Sequence, residues 1–116
     1  MKTESVVQDI AALHSSVSDA CTLLKILANE DRLLILCELN QGTRNVGELE
    51  ELLGIHQPTL SQQLTVLREE KLVATERRGK YIYYSLVSPE AIKIMETLSN
   101  LYCKNHSSSP NSAKEQ

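Results

Sequence analysis

The stretch that decides the fold is HQPTLSQQLTVLR, residues 56–68. Its apolar residues Leu60, Leu64 and Leu67 recur at i, i+4 and i+7, so they lie on one face of a helix that must be buried. The opposite face is polar and uncharged, and its members are Gln57, Thr59, Ser61, Gln62 and Gln63. Such side chains donate and accept hydrogen bonds, which suits the base edges of a DNA major groove. We interpret the stretch as a recognition helix.

A short helix is predicted directly before it. Asn45 and Glu48 have capping-box spacing, and Gly54 is placed to end the helix in a tight turn. The residues expected to face inward are Val46, Leu49, Leu52 and Leu53. We expect His56 at the cap of the following helix and Pro58 in its first turn. Helix, glycine turn and polar-faced helix together predict a helix-turn-helix.

A basic hairpin is predicted after the recognition helix. Residues 72–77 and 81–86 alternate and are rich in Val, Thr, Ile and Tyr, as strands are, with residues 78–80 joining them. The cationic side chains of this region are Arg68, Arg77, Arg78 and Lys80. A basic wing beside a recognition helix can reach phosphates or the minor groove. The alternative is a solvated charged surface, because Glu69, Glu70 and Glu76 stand among these cations.

Three further helices are expected. Apolar residues from Val6 to Leu27 advance by threes and fours, which predicts a long helix whose narrow seam needs another helix, from a second chain or from its own domain. Asn29 is placed to cap a second helix, which is apolar almost all round and therefore central, with Cys37 inside or nearly so. Ser88 and Pro89 open the last helix. Its predicted apolar stripe is Ile92, Met95, Leu98 and Tyr102.

Length and composition limit the class of protein. The chain has 116 residues and a formal net charge of −3. We predict one domain over residues 1–103 and a disordered tail over residues 104–116. The net acidity argues against non-specific coating of nucleic acid, so local charge must support DNA binding. We find no apolar run near the ~18 residues of a membrane span and no signal peptide, which predicts a cytoplasmic protein with no membrane partner.

Catalytic and metal-binding motifs are not found. The sequence has no Gly-rich phosphate loop, G-x-S-x-G or H-E-x-x-H motif, so we expect no enzyme, no catalytic residue and no cofactor. Its histidines, His14, His56 and His106, do not pair with one another or with cysteine at helical spacing, and no C-x-C or C-x-x-C occurs. We therefore predict no metal site.

The chain has three cysteines, Cys21, Cys37 and Cys103. In a reducing compartment such residues are more often free, metal-binding or redox-active than structural disulfides. From the residues alone, the favoured interpretation is that Cys37 and Cys103 are small apolar side chains without a chemical role, because Cys is among the most buried residue types. Their separation of 66 residues along the chain does not indicate whether they are in contact. A direct disulfide requires Cα atoms within about 7 Å of each other.

The order of these features resembles the ArsR/SmtB family of winged helix-turn-helix repressors. The resemblance is carried by LLKILANEDRLLILCEL (residues 23–39), by VGELEELLGIHQPTLSQQLTVLREEKLV (residues 46–73) and by the Tyr-rich wing, and it covers roughly residues 20–103. The segment at residues 56–64 is close to the family pattern S-Q-P-T-V-S-Q-H-L and departs from it at His56 and Gln63.

The resemblance implies a mainly α fold with a small β-hairpin, in the order α-α-(β)-α-α-β-β-α. It also implies a homodimer held by the first and last helices on a palindromic DNA operator. The family's metal-binding cysteines fall here on Asn45 and Gly47, and the ligands at the start of its last helix fall on Ser88 and Glu90, so neither metal site is expected.

The resemblance further implies that Cys37 and Cys103 match the pair used by the persulfide-sensing branch of the family. There, reactive sulfur species link the pair through a disulfide or polysulfide bridge that lowers the operator affinity of the repressor. Cys21 lies outside this pattern. Two alternatives stay open: a thiol-based repressor that responds to a soft metal or arsenite, and a winged-helix interaction module or anti-repressor without a sulfur switch.

Overall fold

The computed structural model describes the backbone of residues 2–103 and the side chains of residues 9–102. Its elements in chain order are α1 (Lys2–Leu27), α2 (Glu30–Gln41), β1 (Arg44–Asn45), α3 (Val46–Leu53), α4 (Thr59–Glu69), β2 (Val73–Arg78), β3 (Tyr81–Leu86), α5 (Pro89–Leu98) and a π-helical turn (Ser99–Cys103). The predicted order of elements is confirmed. The predicted tail at residues 104–116 lies outside the described residues.

The strands form a three-stranded antiparallel sheet in the order β1–β3–β2. In the hairpin, Val73 pairs with Leu86 and Arg78 with Tyr81, so β2 runs one residue further than predicted and the turn is Gly79 and Lys80 alone. Gly79 has φ +64°, a backbone conformation that glycine adopts without strain. The short strand that the resemblance places between the second and third helices is Arg44–Asn45, which pairs with β3.

A single aliphatic core joins α2, α3, α4 and α5. The side chains with almost no exposure are Ile35, Leu36, Leu49, Leu60, Leu64, Leu67 and Met95. The core therefore includes the predicted inner face of the recognition helix, which holds α4 rigidly while its other face stays outside.

Local capping signals set three of the helix starts. Asn29 accepts a hydrogen bond from the Arg32 amide, Asn45 and Glu48 form a complete capping box, and Ser88 accepts from the Ala91 amide. These three predictions are confirmed. Gly54 ends α3 with φ +71°, as the predicted tight turn requires.

The predicted start of α4 is wrong by two residues. Pro58, not His56, precedes the first helical residue, and the exposed His56 side chain makes no cap. The carboxamide Oε1 of Gln57 takes that role in part, since it accepts from the Ser61 amide at 3.1 Å. This oxygen satisfies one of the amides that a helix start leaves without a helical partner.

Three apolar residues predicted to be buried are exposed in the single chain. Leu34 is 41% exposed, so α2 is not buried on all sides. Cys37, on the same helix, is half-buried. Leu52 is 56% and Tyr102 is 65% exposed. Leu52 lies on the outer side of α3, while Tyr102 lies in the π-helical turn, where the regular α-helical spacing used for the prediction no longer holds.

Helix α1 projects from the core. Its apolar residues Ile10, Leu13, Val17 and Leu24 are 49–60% exposed, and the radius of gyration of 18.0 Å exceeds the ~13 Å of a compact domain of this size. Contrary to the sequence-based expectation, Asp9–Leu27 is long and apolar enough to cross a membrane by length and mean hydropathy (1.3) alone. Its apolar residues lie on one stripe and alternate with polar residues, so the helix has a high mean hydropathy without an unbroken apolar run.

Candidate nucleic-acid interface

The outer face of α4 is polar, exposed and uncharged. Gln57, Thr59, Ser61 and Gln62 are exposed, while Leu60, Leu64 and Leu67 on the opposite face are buried. The orientation predicted from the sequence is therefore correct for these residues. Because the buried face fixes the rotation of the helix, the polar face is presented as a rigid surface.

Some of these polar side chains are hydrogen-bonded to their neighbours at the start of α4. Gln57 Oε1 accepts from both the amide and the hydroxyl of Ser61, and the Thr65 hydroxyl donates to the Ser61 carbonyl at 2.9 Å. Within the part of the chain that the structure describes, the side chains of Thr59 and Gln62 make no hydrogen bond. These two side chains are thus available to an external partner without breaking an internal contact.

Gln63 differs from its neighbours on α4. It is half-buried, and its carboxamide Oε1 accepts a hydrogen bond from Arg32 Nη1 on α2 at 3.0 Å. Sequence reasoning missed Arg32, because the two residues are 31 positions apart and nothing in the local pattern of α2 indicates the contact.

The two faces of the wing carry different cations. Arg78 lies with Glu76, Tyr81 and Tyr83 on the outer face, where its Nη2 is 3.0 Å from Glu76 Oε1 and its guanidinium lies 4.8 Å from the Tyr83 ring centroid. Arg77 lies on the opposite face. The charge of Arg78 is therefore partly offset inside the hairpin.

The remaining cations lie near the turn and near α4. Arg77 Nε donates to the Gly79 carbonyl at 3.2 Å, and Lys80 Nζ lies 5.7 Å from the Tyr81 ring centroid. Arg68 is exposed at the end of α4. A groove of about 420 Å³ separates α4 from the wing, and its lining residues are Thr65, Arg68, Glu69, Lys71 and Tyr84. Recognition helix, groove and wing thus form one continuous surface with cations at its edge.

The cysteines lie away from this surface. Cys37 of α2 packs against α5, where its Sγ lies 3.7 Å from the Sδ of the buried Met95. Cys21 is exposed on α1. The backbone of Cys103 ends the π-helical turn that continues α5, and its side chain lies outside the described residues. Among the described residues, no three His, Cys, Asp or Glu side chains are grouped to hold a metal ion.

Comparisons with known proteins agree on one family. Residues 29–75 match the family model described as bacterial regulatory protein, arsR family. The chain is 45% identical over 94 residues to the biofilm growth-associated repressor of Agrobacterium fabrum, covering 81% of this chain and 80% of that protein. It is 38% identical over 96 residues to the transcriptional activator HlyU of Vibrio cholerae, covering 83% of this chain and 89% of that protein.

Solved structures give the same result. The crystal structure of the transcriptional repressor BigR from Xylella fastidiosa matches with a TM-score of 0.75 at 41% identity, covering 80% of this chain and 95% of that chain. A second match is a crystal structure of the transcriptional regulator HlyU from Vibrio vulnificus, with a TM-score of 0.79 at 39% identity, covering 82% and 99% of the two chains. These chains share both the fold and a large part of the sequence.

Proposed function

Because this chain belongs to the arsR family of bacterial regulatory proteins, we propose that it is a homodimeric repressor that reactive sulfur species release from a palindromic operator. Its relatives are DNA-binding transcriptional regulators, so the chain is a winged-helix transcriptional regulator and not an enzyme. The observation that carries the proposal is the exposed, uncharged polar face of α4, held in place by its buried leucines.

DNA reading is proposed for α4. From position 57 to position 67 the helix surface has no Lys, Glu, Asp or Arg, although an ordinary solvent-facing helix uses them freely. Carboxylates would repel phosphates, and neutral amides and hydroxyls match the donors and acceptors of base edges. We assign base reading to Gln57, Thr59, Ser61, Gln62 and Gln63, and phosphate contacts to Arg68, Arg77, Arg78 and Lys80.

Dimerisation is proposed through α1 and α5. The exposed stripe of α1 is apolar, and a single chain that leaves such a stripe open normally covers it with a partner. Beside the stripe, a groove of about 680 Å³ opens between α1 and α5, with Leu23, Ile26 and Ile94 in its wall. A two-fold dimer would place two α4 helices on half-sites about 34–36 Å apart, which explains a palindromic operator.

The sulfur switch is proposed for Cys37 and Cys103. Cys37 is half-buried on the α2 surface that contacts α5, and the helical segment after Met95 runs on to Cys103. A bond between the two would tie α2 to the end of the last helical segment. Because α5 belongs to the proposed dimer contact, the bond would bias the dimer geometry and hence the spacing of the α4 helices.

The proposed chemistry uses a persulfide as oxidant. The Cys37 thiolate attacks the outer sulfur of a persulfide, RSSH. The S–S bond of the persulfide breaks, RS⁻ leaves and is protonated to RSH, and the outer sulfur stays on the protein as Cys37–SSH. The Cys103 thiolate then attacks the inner sulfur, and hydrogen sulfide leaves as the disulfide forms. If both thiols first become persulfides, the same displacement yields a trisulfide, which spans a longer gap.

A soft-metal response is the second candidate. The Met95 thioether, 3.7 Å from the Cys37 sulfur, adds a soft donor that a site for a thiophilic ion could use.

Repression, rather than activation, is also part of the proposal, because the relatives' names include both repressors and an activator. We infer a cytoplasmic location, where the chromosome is accessible and thiols are kept reduced.

Two measurements test the proposal. Reduced protein should select a palindromic sequence from random duplex DNA and bind it as a dimer, with an affinity that falls steeply with salt. Absence of any duplex binding at low salt would refute the DNA-binding role and leave a protein-interaction module.

Mass spectrometry tests the switch separately. Glutathione persulfide should produce a Cys37–Cys103 peptide linked by two or three sulfur atoms, and the Cys21→Ser variant should form the same link. A tightly bound stoichiometric metal ion, lost in Cys37→Ser, would favour the second candidate instead.

A further inference from the structure

Arg32 connects the end of α1 to the reading helix α4. Its Nε donates to the Ile26 carbonyl at 2.7 Å and its Nη2 to the Lys25 carbonyl at 3.5 Å. Its Nη1 donates to Gln63 Oε1 at 3.0 Å. The carbonyls at a helix end have no helical partner, so they hold the guanidinium in one orientation. The direction of the hydrogen bond from Nη1 to Gln63 is thereby fixed as well.

The contact determines which way the Gln63 amide faces. A guanidinium has five N–H donors and no acceptor, so only the oxygen of the amide can face it. The oxygen and the NH2 group are separate branches of the planar carboxamide and point in different directions. With Oε1 directed at Arg32, the NH2 group is turned away from Arg32.

We infer that Arg32 is a positioning residue that makes Gln63 a pure hydrogen-bond donor toward DNA. Gln63 then recognises a base-pair edge through an acceptor: O6 or N7 of guanine, N7 of adenine or O4 of thymine. The bidentate pairing of glutamine with adenine needs the amide oxygen on the same base edge as the NH2 group, and the hydrogen bond from Arg32 holds that oxygen turned toward α2. This inference rests on the proposed function, and it adds a specificity rule for one position of each half-site.

The test compares base preferences in full-length reduced protein selected on random duplex DNA. Gln63→Glu keeps an acceptor for Arg32 but presents an oxygen in place of the NH2 group. We expect its preference at one base pair of each half-site to move to cytosine, whose N4 amine donates, by about fivefold or more. Arg32→Met releases the amide, and we expect the preference for adenine at the same base pair to rise.

Lys25→Met is the matched control. It removes one positive charge beside Arg32, and its side chain makes no hydrogen bond in the described part of the chain, so the base preference should stay unchanged. If Arg32→Met does not fold, Arg32→Lys decides the question, because it keeps the charge and lacks the planar fork that orients the amide.

The outcomes separate the inference from the proposed function. If the parent protein selects a sequence and Gln63→Glu selects the same bases, the donor role of Gln63 is overturned, whereas the DNA-binding role is supported. An unchanged preference in the folded Arg32 variant would overturn the positioning role. If the parent selects no sequence, the proposed function and this inference both fall.

Discussion

Gln62 is the single residue on which the reading role of α4 can be tested with least disturbance to the fold. It is exposed, and its side chain makes no internal hydrogen bond in the described part of the chain. We expect Gln62→Ala to lower affinity for the selected operator by about tenfold, because an amide–base pair is lost. Fluorescence anisotropy measures this, and the melting temperature should be unchanged because the substitution is on the surface.

Gln41→Ala provides the control for Gln62→Ala. Gln41 is also exposed and lies at the end of α2 rather than on α4, so its truncation should leave operator affinity as it was. Equal operator binding by Gln62→Ala and the parent protein would contradict the assignment of Gln62.

Residue-level prediction from sequence succeeded where neighbours along the chain decide the outcome. The burial of Leu60, Leu64 and Leu67 was predictable, because helical periodicity alone places them on one face. Leu52 was misassigned, because periodicity does not say where a short helix meets its neighbours. Arg32 was missed for a related reason: its contact with Gln63 exists only once α2 and α4 pack together.

Among the elements, the β2–β3 wing yields the clearest prediction. Arg78 is paired with Glu76 on the outer face, whereas Arg77 has no ion-pair partner among the described residues. We expect Arg77→Ala to weaken binding to all duplex sequences and to reduce the slope of log affinity against log salt by about one. Arg78→Ala should change the slope less, since Glu76 already offsets its charge.

Measuring both slopes by anisotropy across a salt series provides an internal comparison. A larger loss of slope in Arg78→Ala than in Arg77→Ala would mean that Arg78 leaves Glu76 to contact phosphate. That result would make Arg78 the stronger of the two phosphate contacts that Arg77 and Arg78 are proposed to make.

Element boundaries were predictable where a cap is encoded locally. Asn29, Asn45 and Ser88 each start a helix through a side chain that accepts from an amide three residues on. The start of α4 was misplaced because Pro58 and the Gln57 amide oxygen take over the role expected of His56. The π-helical turn after α5 has no signature in the sequence pattern.

At the level of the whole molecule, the exposed stripe of α1 predicts the oligomeric state. We expect Leu13→Glu to convert the dimer into a monomer, because a charge placed in an apolar helix interface is costly to desolvate. Sedimentation velocity measures the change, and operator affinity should fall with it because both half-sites are no longer read together.

Ser15→Glu is the control for Leu13→Glu. Ser15 is exposed on α1, lies off the apolar stripe and receives the same charge. A Leu13→Glu protein that remains dimeric would place the dimer contact elsewhere. The sequence predicted the helix and its seam, whereas only the three-dimensional structure shows that the helix packs on the core near Leu27 and leaves Ile10, Leu13 and Val17 exposed.

We propose that sulfur chemistry at Cys37 and Cys103 controls the DNA affinity of a dimer whose reading helix contains no thiol. The most direct test compares operator binding by reduced and glutathione-persulfide-treated protein side by side. Treated protein should bind at least about tenfold more weakly, Cys21→Ser should behave in the same way, and Cys37→Ser and Cys103→Ser should not respond. Unchanged affinity after treatment, in protein that carries the Cys37–Cys103 link, would contradict the proposed sulfur switch.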